Sequence, residues 1–199
     1  MHDERAYRVL RMGGISLLIF YFICCPSFEF SPLGVLGYFL ISTLIAIAFV
    51  VLRIAGRFAK LNQYHFFPIS GEQKIESGNW VADKAAYVIS MTRGRQILYS
   101  VTEDGLICVP LLLVGLNFAT SFIGGVIFGF MHIGRFTYLE CLVKALIYCV
   151  VCLVILPQGI LTVIAGHLTL NLIALAVAER APNVVPSAHP PSRSKAPDG

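Results

Sequence analysis

Six apolar stretches of roughly 15–20 residues each follow one another along the chain, the first, fourth and fifth of them shorter than the about 20 residues with which a helix crosses a bilayer. They run over Gly13–Phe28, Leu33–Leu52, Ile97–Leu116, Ala119–Ile133, Leu142–Leu156 and Ile160–Ala178. Only one long polar segment, Arg53 to Gln96, interrupts them. In lipid every backbone N–H and C=O has to be satisfied within the segment, so such runs fold as helices. The expected fold class is therefore all-α: a polytopic transmembrane helical bundle of about six spans. The composition agrees, with 57% hydrophobic and 13% charged residues and a mean hydropathy of +0.77. A soluble domain carries roughly 45–50% and 25%. A transmembrane domain over residues 1–179 leaves no room for a second soluble domain of ordinary size.

Charge orients the bundle. With six spans, the connections on one side are Glu29–Pro32, Asn117–Phe118 and Pro157–Gly159, and none contains lysine or arginine. All 15 basic residues fall on the other side or near its boundary, among them Arg53, Arg57, Lys60, Arg93, Arg95, Arg135 and Arg180. The positive-inside rule puts that side, with both termini, in the cytoplasm. Arg5, Arg8 and Arg11 precede the first apolar run without a small-residue cleavage site after it, so this run reads as a retained helix. Within the polar segment, Val81, Ala85, Val88 and Ile89 recur at helical spacing behind Trp80, the pattern of an interfacial amphipathic helix. Residues 180–199 are rich in proline, serine and alanine and read as a disordered cytoplasmic tail. Cys24, Cys25, Cys108, Cys141, Cys149 and Cys152 all lie in or beside apolar runs, where cysteine packs as a small hydrophobe, and no disulfide is expected.

Against this apolar background a few polar side chains stand out, because ionisable groups inside spans are costly and mark functional sites by default. Glu103 and Asp104 sit in "SVTEDGLIC", about 10 Å in from Gln96 at 1.5 Å per residue. His132 closes the fourth span. His167 and Asn171 share one helical face in the sixth. Lys144 lies close enough to the boundary to snorkel. A single hydrated cavity at similar depth would account for the first five. Each also has a plainer reading. Glu103 and Asp104 would mark a frayed helix start if the third span began near Gly105. His132 would be an interfacial residue reaching for water, and His167 with Asn171 would be interhelical hydrogen-bonding glue. Gly125 and Gly129 form a GxxxG on the fourth span, which lets another helix approach closely.

The spacing of these residues resembles the CPBP intramembrane protease family, which includes the type 2 CAAX prenyl endopeptidases and Abi-like proteins. That family carries EExxxR, FxxxH and HxxxN or HxxxB on separate membrane helices. Here "EDGLIC" offers Glu103 and Asp104, with Cys108 at the arginine position; "FGFMH" supplies Phe128 and His132; "HLTLN" supplies His167 and Asn171. The resemblance covers Ser100 to Ala178 and keeps the motifs in order. It implies an intramembrane endopeptidase opening to the cytoplasmic side, with a peptide or protein substrate, in a bacterial inner membrane. Glu103 and His132 would activate water, and His167 and Asn171 would steady the oxyanion. Asp104, about 100° round the helix from Glu103, would orient a neighbour. The resemblance leaves the cofactor open. A divalent metal such as zinc would take Glu103, His132 and His167, a His₂Glu set, and a metal-free site is the alternative.

Two other functions fit the same residues. One is a catalytically inactive CPBP-like membrane protein acting in binding or bacteriocin-immunity-type protection, which the cysteine at the arginine position favours. The other is a small proton-coupled transporter using Glu103 and the histidines as a relay. The composition and pattern point to the lipid bilayer as a partner and not to nucleic acid.

Overall fold

The computed structural model describes residues 2–25, 28–54, 93–132, 136 and 138–180. They form an all-helical bundle of six long helices. These are α1 (His2–Cys24), α2 (Pro32–Ile54), α3 (Arg93–Val114), α4 (Phe118–Met131), α5 (Tyr138–Val154) and α6 (Ile160–Arg180), with a 3-10 turn over Leu156–Gln158 before α6. Local chemistry sets several of their ends. Pro32 occupies the first position of α2, where its missing N–H costs nothing, and the Ser31 hydroxyl accepts from Gly34 N at 3.0 Å. Asn117 and Thr120 cap α4 reciprocally: Thr120 N donates to Asn117 Oδ1 at 3.0 Å, and Asn117 N donates to Thr120 Oγ1 at 2.9 Å. The loop before α2 is tied to α6 by a 2.9 Å bond from Ser31 N to Thr162 Oγ1.

Three helices are long and apolar enough to cross a membrane, over Pro32–Leu52, Arg93–Val114 and Ile160–Val177. Shorter apolar helices cover Arg11–Cys24 and Phe118–Met131. The outward faces are those of a membrane protein: Leu33, Leu36, Leu40, Leu44, Ile47 and Val51 are exposed along α2. Polar groups go the other way. Ser100, Asp104, Ser121 and Thr162 are completely buried. The interior is built around Cys108, Val109, Tyr148, Val151, Cys152, Ile155, Ile160 and Val163.

The third helix begins at Arg93, four residues before the expected span, and continues unbroken to Val114. Glu103 and Asp104 are thus well inside a helix, and the frayed-start reading does not hold. The expected amphipathic helix after Trp80 and the tail beyond Arg180 lie outside the described residues.

Two helix pairs make the most extensive contacts, α1 with α3 and α4 with α5. Both depend on glycine. A Cβ on Gly125 would stand 2.5 Å from Ala145 O, and one on Gly129 would stand 2.7 Å from Cys141 O, so the GxxxG does admit a helix, which is α5. In the other pair Gly14 and Gly105 face each other: a Cβ on Gly105 would strike the Gly14 carbonyl, and one on Gly14 would strike the Thr102 carbonyl. This contact holds α3 against α1 immediately beside Asp104. α6 packs on α2 and α3, and α3 also touches α4, so α3 is the helix that all the polar motifs meet.

Candidate functional site

One face of α3 carries Gln96, Ser100, Asp104 and Cys108, four residues apart and all buried. Four bonds radiate from this stripe. Asp104, wholly buried, accepts at Oδ1 from the Tyr148 hydroxyl at 2.6 Å and faces His167 Nδ1 at 3.1 Å through the same oxygen. The Cys108 Sγ lies 3.3 Å from the Tyr148 hydroxyl oxygen. One turn toward the start of α3, Ser100 Oγ accepts from Asn171 Nδ2 at 2.8 Å and donates to Gln96 O at 3.0 Å. α6 therefore docks on α3 with two polar residues matched to two, a register that apolar packing alone would not specify.

Glu103 turns to a different neighbour. Its Oε2 stands 4.0 Å from His132 Nε2, with both side chains mostly buried. His132 Nδ1 contacts Phe128 O at 2.7 Å. A carbonyl only accepts, so Nδ1 carries the proton and, in a neutral imidazole, Nε2 is an acceptor. The pair thus presents two acceptors across a gap too wide for a direct hydrogen bond and wide enough for a water donating to both.

Phe128 joins the two halves. Its ring lies 4.7 Å from the His132 ring, 5.9 Å from that of His167, and stacks on Tyr148 at 4.0 Å and 9°. Tyr38 of α2 stacks on His167 at 6.2 Å. Both histidines are buried, at 7% exposure each. At the rim, Phe136 lies 5.4 Å from the His132 ring, with the Lys144 ammonium 4.5 Å from the Phe136 centroid. Lys144, set aside on sequence as a residue that snorkels, is thus a neighbour of the site.

All five sequence-derived residues, Glu103, Asp104, His132, His167 and Asn171, come from three helices into one region, but their pairing differs from expectation. His167 and Asn171 do not hold one common partner: the first faces Asp104, the second Ser100. An amide nitrogen carries two donors, so Asn171 commits one of them to Ser100. The set Glu103, His132 and His167 is not gathered as metal ligands. Among the described residues no three His, Cys, Asp or Glu side chains come together to hold an ion, and His167 presents Nδ1 to Asp104 instead. Sequence reasoning missed Tyr148, Ser100 and Tyr38. A phenol or hydroxyl inside an apolar span, which must find a partner when buried, was the available signal.

Comparison with known family models, with curated proteins and with solved structures finds no match.

Proposed function

We propose that this chain is an intramembrane endopeptidase that hydrolyses a peptide bond with water activated by Glu103 and His132. The observation that carries the reading is the approach of Glu103 to His132 beside a second acid–imidazole pair, Asp104 with His167, inside a bundle whose outer surface is apolar. Peptide hydrolysis needs a base for water, stabilisation of the oxyanion and an acid for the leaving amine. Two acceptors across 4.0 Å suit a water donating both its protons, which leaves a lone pair of the water oxygen for the scissile carbonyl. As the tetrahedral intermediate forms, the water's proton passes to Glu103 or His132.

Asp104 gives His167 the partner that a buried imidazole needs to carry a second proton. With Nδ1–H directed at the carboxylate, the neutral resting ring in turn takes up the water's proton at Nε2, and the resulting imidazolium donates it to the oxyanion or the leaving nitrogen. The remaining N–H of Asn171, one turn away, is the second oxyanion donor. Asp104 would thus act through its neighbour, the role expected from its place about 100° round the helix from Glu103.

The wider assignment follows from charge. Six spans, with α1, α4 and α5 as the short ones and both termini in the cytoplasm, are the topology that collects every lysine and arginine on one side or near its boundary, and the family resemblance adds a bacterial inner membrane as location. The substrate is then a peptide or protein presented from the cytoplasmic face.

The test is cleavage in proteoliposomes. The purified protein should fragment membrane-associated peptides, with products identified by mass spectrometry, and Glu103→Gln and His167→Ala should each abolish this while folding is retained. Undiminished cleavage by either variant removes the assignment. A second reading, a binding protein without catalysis, is favoured by Cys108, whose thiol stands where the resembling family has a charged group. Stoichiometric capture of a peptide without turnover by the unaltered protein would select it.

A further inference from the structure

We propose that Tyr148 is a positioning residue of this site: its hydroxyl, acting through Asp104, holds His167 in the tautomer and orientation that hydrolysis uses. The inference rests on the reading above for its catalytic consequence, and on geometry alone for the alignment itself.

A tyrosine hydroxyl has one proton to give. In Tyr148 that proton goes to Asp104 Oδ1 at 2.6 Å, so the 3.3 Å contact with Cys108 has to run the other way, with the thiol S–H donating to the phenol oxygen. The result is a directed chain. The Cys108 thiol donates to Tyr148, Tyr148 donates to Asp104, and the same carboxylate oxygen receives His167 Nδ1–H at 3.1 Å. Bonds in such a chain polarise one another in the low dielectric of a buried site.

Two donors from two helices converge on Oδ1, while Oδ2 has no hydrogen-bond partner among the described residues. Without Tyr148, Asp104 would be held at one point only and would be free to turn either oxygen to His167. With it, the carboxylate is fixed from α5 and presents one oxygen to the imidazole. The phenol ring is itself immobilised. It is completely buried and stacks at 4.0 Å on Phe128, whose ring also contacts both histidines. Cys108, small and wholly buried, leaves the room that Tyr148 occupies; a long side chain there would compete for the space beside Asp104.

The experiment uses Tyr148→Phe in the full-length protein, which keeps the ring and its stacking and removes only the hydroxyl. Nitrogen NMR of protein labelled at histidine, with the His167 signals identified by their loss in His167→Gln, reads the tautomer directly. The unaltered protein should show a protonated Nδ1, and Tyr148→Phe should show a mixture of the two ring tautomers. In the proteoliposome assay kcat should fall roughly 10- to 100-fold, the cost of a misaligned catalytic group, with KM held within about twofold. Thermal unfolding in detergent is followed in parallel. A Tyr148→Phe protein that melts earlier but keeps the His167 tautomer and kcat would overturn the proposal, because Tyr148 would then be only a packing residue. A changed tautomer in a protein without any proteolysis would uphold the alignment and remove the protease reading instead.

Discussion

Glu103 Oε2 and His132 Nε2 face each other at 4.0 Å across α3 and α4, while the neighbouring Asp104 turns away from this gap to His167 on α6. Adjacent acids on one helix are thereby given separate partners, since successive residues project about 100° apart. One meets the imidazole at the end of FxxxH, the other the imidazole that opens HxxxN.

Replacing Glu103 with glutamine keeps the shape and removes the proposed base. Turnover should fall roughly 10²- to 10⁴-fold, the usual contribution of a positioned general base. Asp104→Asn should also lower turnover, and it should disturb the His167 nitrogen signals, which Glu103→Gln leaves in place. Rates in proteoliposomes together with histidine NMR check the pair.

Asn171→Ala removes a proposed oxyanion donor and should lower kcat roughly 10²- to 10³-fold. Ser100→Ala removes the partner that aims this amide and should cost less activity than Asn171→Ala. Its effect on stability should be near that of one hydrogen bond within a membrane, about 0.6 kcal/mol. Equal losses of turnover in both variants would show that Asn171 acts through Ser100 alone.

Gly125→Leu and Gly129→Leu drive a side chain into the Ala145 and Cys141 carbonyls. Separating α4 from α5 in this way should destabilise the protein by about 1–3 kcal/mol, as overpacking does. Gly105→Leu should do the same to α1 and α3. Unfolding followed in detergent gives the magnitude, and a variant as stable as the parent would mean that these helices are not packed backbone to backbone.

Topology is tested by labelling. In a background without native cysteines, a cysteine at Asn117 should react with a membrane-impermeant maleimide in intact cells, and one at Arg180 should react only after the membrane is opened. Labelling of both positions from the same side would end the six-span arrangement.

The bundle and its site were legible in the sequence to different depths. Apolar length and the placement of arginine and lysine pointed to a helical membrane protein, because those features act within single segments. Glu103, Asp104, His132, His167 and Asn171 were visible as polar residues that lipid does not tolerate. Their pairing was not visible, since it depends on which helix faces which, and that is decided by Gly14 against Gly105 and by Gly125 and Gly129 against α5. The four-residue recurrence of Gln96, Ser100, Asp104 and Cys108 was present in the sequence as a polar stripe. Tyr148 was hidden because a tyrosine in "LIYCVVC" reads as apolar filling until its hydroxyl is seen on Asp104.

The two glycine contacts divide the molecule's joints into two kinds. α1 with α3, and α4 with α5, are zipped backbone to backbone, whereas the bond from Tyr148 to Asp104 and the approach of Glu103 to His132 bridge one zipped pair to the other. The proposed site therefore lies on the seam between two glycine-packed helix pairs, held there by the same side chains that would do the work.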